Sequence, residues 1–312
     1  MENKFFSKKS ELEQILGVQK NLLDEKVSEY ISLTDALSSL GVKYHFQSQE
    51  QQDFYRTFEQ DFGKKNIGIF HKIVMLELMN QFPARVQKLK IPLSIVEMFH
   101  AEFERIVNLI GNDSNFVFDW TNDFFAKDMG ICTFRIIPAG AQLVEISGVP
   151  RRVILRNLSQ LPAALPFFLF KTKGFKPFYE IHTHSGNLTE FSLDGWNRCY
   201  VRIGELLKLN PEIKGMLGGS WFYDPFLSVI SPRLEYLRGI PCENGAKVFF
   251  SQDEGADSSA LSKSESRKKM YVDGKYTPKA FLLVWARDDL INFSERNAKL
   301  LSASVEQSKP NA

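Results

Sequence analysis

Cysteine is scarce in this 312-residue chain, and the three present, Cys132, Cys199 and Cys242, are odd in number and far apart. They make neither a disulfide framework nor a C-x-x-C metal or redox pair. Charge of one sign is also missing: 39 Lys and Arg stand against 37 Asp and Glu, and residues 1–110 carry 14 basic and 15 acidic side chains. That balance excludes a basic nucleic-acid-binding module. Long hydrophobic runs are absent as well. The most apolar stretch, Leu161 to Phe170, has ten residues and two prolines, whereas a bilayer span needs roughly 20 apolar residues. The sequence predicts no membrane span and no signal peptide at its charged start, Met-Glu-Asn-Lys-Phe-Phe, and cytoplasmic is the default location.

What the chain does have is apolar mass. Its residues are 44% hydrophobic and 24% charged, which excludes a disordered chain, and 27 of them are Phe. From Leu12 to Ile110 the apolar positions recur at three- and four-residue steps. Phe54, Phe58 and Phe62 form one helical stripe, with Ser48 as its cap and Gly63 as its end. Two further helices are expected near Ile67 to Phe82 and Leu93 to Ile110, separated by Pro83 and Pro92. Residues 1–111 therefore read as a helical N-terminal region. Residues 112–301 read as a mixed α/β domain, and 302–312 as a flexible tail. The fold class is α+β.

In the second region, Ile131 to Ile137 and Gln142 to Ile146 flank Pro138-Ala139-Gly140 as a hairpin would. Strands are expected near Phe178 to Thr183, Met216 to Tyr223, Lys247 to Phe250 and Ala280 to Trp285. Helices are expected near Trp196 to Leu209 and Ser259 to Val272.

Three segments, and one isolated Glu-x-x-His pair, are candidates for chemistry. In Glu180-Ile-His182-Thr-His184, strand alternation projects Glu180, His182 and His184 from one face, an arrangement that suits a two-histidine, one-carboxylate metal site. A polar strand end bonded within the protein is the competing reading. Glu97 and His100 make a single Glu-x-x-His step, but a di-iron bundle needs two copies and His71 has no matching Glu. In Gly215 to Asp224, the pair Gly218-Gly219 suggests a bulge or a close approach of backbone to ligand. Ser220, Trp221, Tyr223 and Asp224 follow as candidate substrate contacts, though Trp and Tyr also pack well against any loop.

The third segment runs from Ser264 through Arg267, Tyr271 and Gly274 to Tyr276, a helix that ends in Tyr-x-x-Gly and passes into a strand. It resembles the late helix-to-strand unit of the GCN5-related N-acyltransferases (GNAT-like proteins), whose pattern is Asn-x-x-Ala-x-x-x-Tyr followed by Gly-Phe. Ser264 stands at the Asn, Arg267 at the Ala, Tyr271 at the Tyr, and Gly274 and Tyr276 near the Gly-Phe. The Gly-bulged strand from Gly215 is compatible with that family's central splayed strand, while its phosphate-cradling Gln/Arg-x-x-Gly-x-Gly/Ala loop is absent. The resemblance covers the last third of the chain.

It implies acyl transfer from a thioester donor, acyl-CoA or another, to an amine or hydroxyl acceptor. Glu180 or His184 would be the base, Tyr271 the acid, and Ser220, Trp221, Tyr223 and Asp224 the acceptor contacts. Two alternatives stand beside it: a non-catalytic protein that binds a small-molecule or acyl-bearing ligand, and a metal-dependent enzyme using Glu180, His182 and His184.

Overall fold

Ser48 and Gly63 bound a helix as their chemistry requires. The Ser48 hydroxyl accepts the Gln51 N–H, the Gln51 side chain returns to the Ser48 N–H, and Gly63 closes the helix with a positive φ of 82°. The computed structural model describes residues 2–17, 19–38, 43–112, 116–155, 157–262 and 264–301. The tail 302–312 lies outside the described residues. The chain is α+β and divides into two compact units, residues 1–139 with 143–146 and 184–186, and residues 140–142, 147–183 and 187–312.

The first unit is mainly helical: α1 (Glu2–Leu16), α2 (Lys20–Ser38), α3 (Gln49–Phe62), α4 (Ile67–Asn80), α5 (Phe82–Val86), α6 (Leu93–Asn112) and α7 (Asp123–Cys132). Helix α4 is buried on almost every face, so its apolar run is continuous rather than striped. The Phe stripe of α3 packs where expected: the Phe58 and Phe70 ring centroids lie 4.5 Å apart. The hairpin is shorter than its sequence suggests. Strand β1 (Ile137–Pro138) pairs antiparallel with β2 (Leu143–Ser147), whereas Ile131 and Cys132 finish α7. Asn122 caps α7, and the helix extends the helical unit beyond residue 111.

The second unit contains α8 (Arg151–Leu155), α9 (Leu161–Pro166) running into a π-helical turn (Phe167–Lys171), β3 (Phe178–His182), α10 (Leu193–Leu209), β4 (Gly215–Ser220), α11 (Leu227–Ile230) and α12 (Tyr236–Glu243). It continues with β5 (Lys247–Asp253), α13 (Ser259–Ser262), α14 (Glu265–Val272), β6 (Lys279–Ala286) and α15 (Arg287–Asn297). Its strands lie in the order β3-β4-β6-β5. The β3–β4 pair is parallel, and β6 is antiparallel to both its neighbours.

One side of this sheet is sealed by Val153, Phe167 and Phe168 packing with Phe178, Leu217, Phe249 and Val284. Helices α10 and α15 approach so closely that a Cβ on Gly204 would stand 2.3 Å from Cβ of Ser294. The Ser294 hydroxyl donates to the Val201 carbonyl at 2.9 Å. Among the described residues no helix is long and apolar enough to cross a membrane.

Candidate functional site

Strand β4 organises the candidate site. On one side it pairs with β6 along its whole length, Gly215 with Ala286 through Ser220 with Phe281. On the other it pairs with β3 at two positions only, Tyr179 with Met216 and Glu180 with Leu217. Beyond Leu217 no further registered pair joins the two parallel strands, although Ile181 still lies against Gly218. Ile181 and the Tyr223 hydroxyl fill the place next to Gly218, where a Cβ would lie 2.8 Å from each. The close approach anticipated at Gly218 is thus made by the protein's own side chains. Gly219 differs: it is exposed, and a Cβ there would meet nothing within 4 Å.

After Gly219 the chain leaves the sheet in a tight turn. The Ser220 hydroxyl caps it by accepting the Phe222 N–H at 3.2 Å. Trp221 is 5% exposed and lies under the Arg267 guanidinium, 4.5 Å from ring centroid. Arg267 is itself tied to Ala260 O and to Ser231 Oγ, so α14 covers the indole. Tyr271, also on α14, packs against the same cluster. Tyr223 is buried, and desolvation pushes its phenol well above the usual range, so it stays protonated. Trp221 therefore acts as packing, while Tyr223 presents a neutral hydroxyl to β4.

Asp224 ends the turn and opens onto a cleft of about 550 Å³, lined also by Phe226, Asp253, Lys275, Tyr276 and Lys279. Its side chain is buried and accepts the Phe226 N–H at 2.9 Å. Burial raises the carboxyl pKa, against the opposing pull of that N–H, Lys279 and Arg238. The Tyr276 ring lies nearly parallel to Phe226, at 19° with centroids 6.4 Å apart. Its hydroxyl is buried without a hydrogen-bond partner. Desolvation, assisted by the Asp224 charge, pushes the phenol up to about 12. A buried phenol donor and a carboxyl with free lone pairs offer a ligand two complementary hydrogen-bonding positions.

The sequence reading reached Asp224 but not Tyr276 as a cleft residue. The GNAT-like pattern drew attention to Tyr271, five residues earlier, where the helical spacing packs the ring against the apolar cluster that contains Trp221 instead. Nothing local distinguishes Asp253, Lys275 and Lys279 from ordinary surface charges, because strand pairing and the β6 entry bring them together.

The Glu180, His182 and His184 run is divided. Glu180 and His182 lie in the second unit, half-buried on alternate positions of β3, and neither lacks a partner. His184 lies in the first unit. Its Nδ1 accepts the Gly186 N–H at 2.9 Å, and its Nε2 stands 3.2 Å from Asp128 Oδ1. Asp128 takes both terminal nitrogens of Arg105, whose Nε donates to Glu102 at 2.8 Å. The two carboxylates outweigh desolvation and hold the guanidinium pKa above its ordinary value.

His71 has both ring nitrogens bonded, to Phe118 O and Tyr55 Oη, which removes it from any metal role with Glu97 and His100. The cysteines are not poised as nucleophiles either. Burial pushes Cys199 up to about 12 and Cys132 higher still, whereas a nucleophilic cysteine needs a thiolate. No known protein family, curated protein or solved structure matches the chain.

Proposed function

We propose that the second unit is an acyltransferase, moving an acyl group from a thioester donor such as an acyl-CoA to an amine or hydroxyl acceptor. One observation carries the reading: the registered pairing of β3 with β4 ends after two positions, while β4 continues against β6 to Ser220. The unpaired flank of β4 can hydrogen-bond an extended, amide-bearing ligand as an added strand does. Gly219, exposed and without a side chain, gives the ligand backbone-distance access. The GNAT-like helix-to-strand pattern around Tyr271 and Gly274 points the same way.

In this reading Glu180, at the last paired position of β3, accepts the proton of the acceptor as its nitrogen or oxygen attacks the thioester carbonyl. The C–O π bond opens to a tetrahedral adduct, then re-forms as the C–S bond breaks. Glu180 hands the proton it took up to the leaving thiolate, and Tyr223, whose hydroxyl stays protonated, donates a hydrogen bond to the departing sulfur. Tyr223 replaces Tyr271 as the proposed hydrogen-bond donor to the leaving group because its hydroxyl lies against Gly218. Asp224 and Tyr276 hold the acceptor in the cleft.

Thiol release from acetyl-CoA, followed over a panel of primary amines and alcohols, tests the chemistry. Acceptor-dependent release that Glu180→Gln and Tyr223→Phe each depress by about a hundredfold or more supports it. Release that never exceeds solvent hydrolysis removes it.

The cleft favours a second reading, a non-catalytic ligand-binding protein, because Tyr276 and Asp224 offer recognition without any reacting bond. Saturable binding of an acceptor with no thioester turnover selects that reading.

A further inference from the structure

The stretch from residue 151 to 176 of the second unit is apolar on two opposite sides and contains no acidic residue. Its inner side is accounted for: Val153, Ile154, Ala164, Phe167 and Phe168 belong to the core under the sheet. Its outer side is left uncovered by the described residues. Leu155 is 61% exposed, Leu158 67%, Leu165 44%, Leu169 57% and Phe170 77%. Leu169 and Phe170 stand four and five residues after Leu165 along the continuous α9 and π-helical run, so both lie on the side of Leu165.

This arrangement is held firmly from within. The Gln160 side chain donates to Phe250 O at 3.1 Å and accepts the Phe250 N–H at 2.5 Å, clamping the entry to α9 onto β5. The outward leucines are therefore displayed by an anchored element and do not belong to a loop free to turn inward.

Charge selects the occupant. Arg151, Arg152, Lys173 and Lys176 are exposed around this face, and among the described bases of the stretch Lys171 alone is paired with a carboxylate, Asp289 at 2.8 Å. A second copy of the chain would bring base against base across a two-fold axis. A nucleic acid would leave the leucines without a role. An anionic lipid surface satisfies both features, because aliphatic and aromatic side chains enter the acyl boundary while Lys and Arg lie over headgroup phosphates.

We infer that this face is a peripheral attachment site for an anionic bilayer surface, with Leu165, Leu169 and Phe170 inserted and Arg151, Arg152, Lys173 and Lys176 over the phosphates. The protein lies on the membrane and does not span it. This inference is independent of the proposed acyl transfer.

Vesicle sedimentation with the full chain tests it, using phosphatidylcholine alone and phosphatidylcholine mixed with phosphatidylglycerol. Binding to the mixed vesicles only, weakened by salt, is expected. The double variant R151Q/R152Q should lower the partition coefficient roughly thirtyfold, at about one kcal/mol per basic residue. L169E and F170E should abolish binding, with circular dichroism and thermal melting unchanged because both side chains are exposed. Equal binding to both vesicle types, no binding to either, or a dimer in light scattering that F170E dissolves overturns the inference.

Discussion

His71 Nδ1 lies 2.7 Å from the carbonyl oxygen of Phe118, an atom that only accepts, so the neutral ring carries its proton on Nδ1. Nε2 must then accept, and it does so from the Tyr55 hydroxyl at 2.8 Å. With its one proton used, Tyr55 accepts from Trp120 Nε1 at 2.8 Å and from the Tyr30 hydroxyl. A single tautomer thus fixes the direction of every bond in a buried network.

Burial lowers His71 from its usual 6.5 to about 4. The unfolded chain takes the proton first as pH falls, so this contribution to stability is complete above about 6.5 and is lost on descending towards 4, roughly 3 kcal/mol in all. Denaturant unfolding between pH 7 and pH 4 should show that slope, and His71→Gln should remove its share. An unchanged slope in the variant would place its origin elsewhere.

Arg105 bridges Asp128 and Glu102, and Asp128 also faces His184. Because Asp128 is 1% exposed, losing its cation leaves a buried charge without its partner. Arg105→Met is expected to cost about 3–5 kcal/mol by equilibrium unfolding, and the double replacement R105M/D128L less than the single one. A cost below 1 kcal/mol for the single variant would show that water compensates Asp128.

Gly218 has Ile181 Cγ1 and Tyr223 Oη closing on it from one side. Gly218→Ala should destabilise by about 1–3 kcal/mol through overpacking. Adding Tyr223→Phe removes one of the two obstructing atoms, so the double variant should lose less than the sum of the singles. Additive losses would mean that the strand shifts instead.

Asp224 has a raised carboxyl pKa, so the fold resists its ionisation while the unfolded chain does not. Its contribution to stability therefore declines as pH rises through the ordinary carboxylate range and beyond. Asp224→Asn keeps an oxygen for the Phe226 N–H and removes the charge. The variant should be at least as stable as the parent at pH 7, with the advantage vanishing in acid, as read by thermal melting across pH. A variant clearly less stable at pH 7 would indicate that the charge is paid back by Lys279 or Arg238.

Much of the helical unit was legible because its signals are local. Ser48, Gly63 and the Phe54, Phe58, Phe62 stripe specify α3 from its own residues. Strand β4 was read through to Tyr223, but it ends at Ser220, because the Ser220 hydroxyl caps a turn and Trp221 finds its partner in Arg267, forty-six residues away. The expected helix from Ser259 to Val272 is two short helices, α13 and α14, with Ser264 capping the second. Helix α15 was missed because its polar sequence has a weak apolar stripe, and the fit of Ser294 against Gly204 holds it.

The site was less legible for the same reason. Asp224 announced itself through its neighbours Trp221, Tyr223 and Pro225, whereas the unpaired Tyr276 hydroxyl depends on long-range folding. At Glu180, His182 and His184 strand alternation reaches only as far as His182, where β3 ends, and His184 lies beyond it in the first unit.

If the second unit takes an acyl thioester beside β4, as proposed, isothermal titration of the full chain with acetyl-CoA and CoA reads it most directly. The account predicts saturable one-to-one binding of acetyl-CoA, weakened by a bulky side chain in Gly219→Trp, which blocks the open flank while leaving the fold intact. No heat of binding to folded protein at millimolar acetyl-CoA, or binding indifferent to Gly219→Trp, would contradict it.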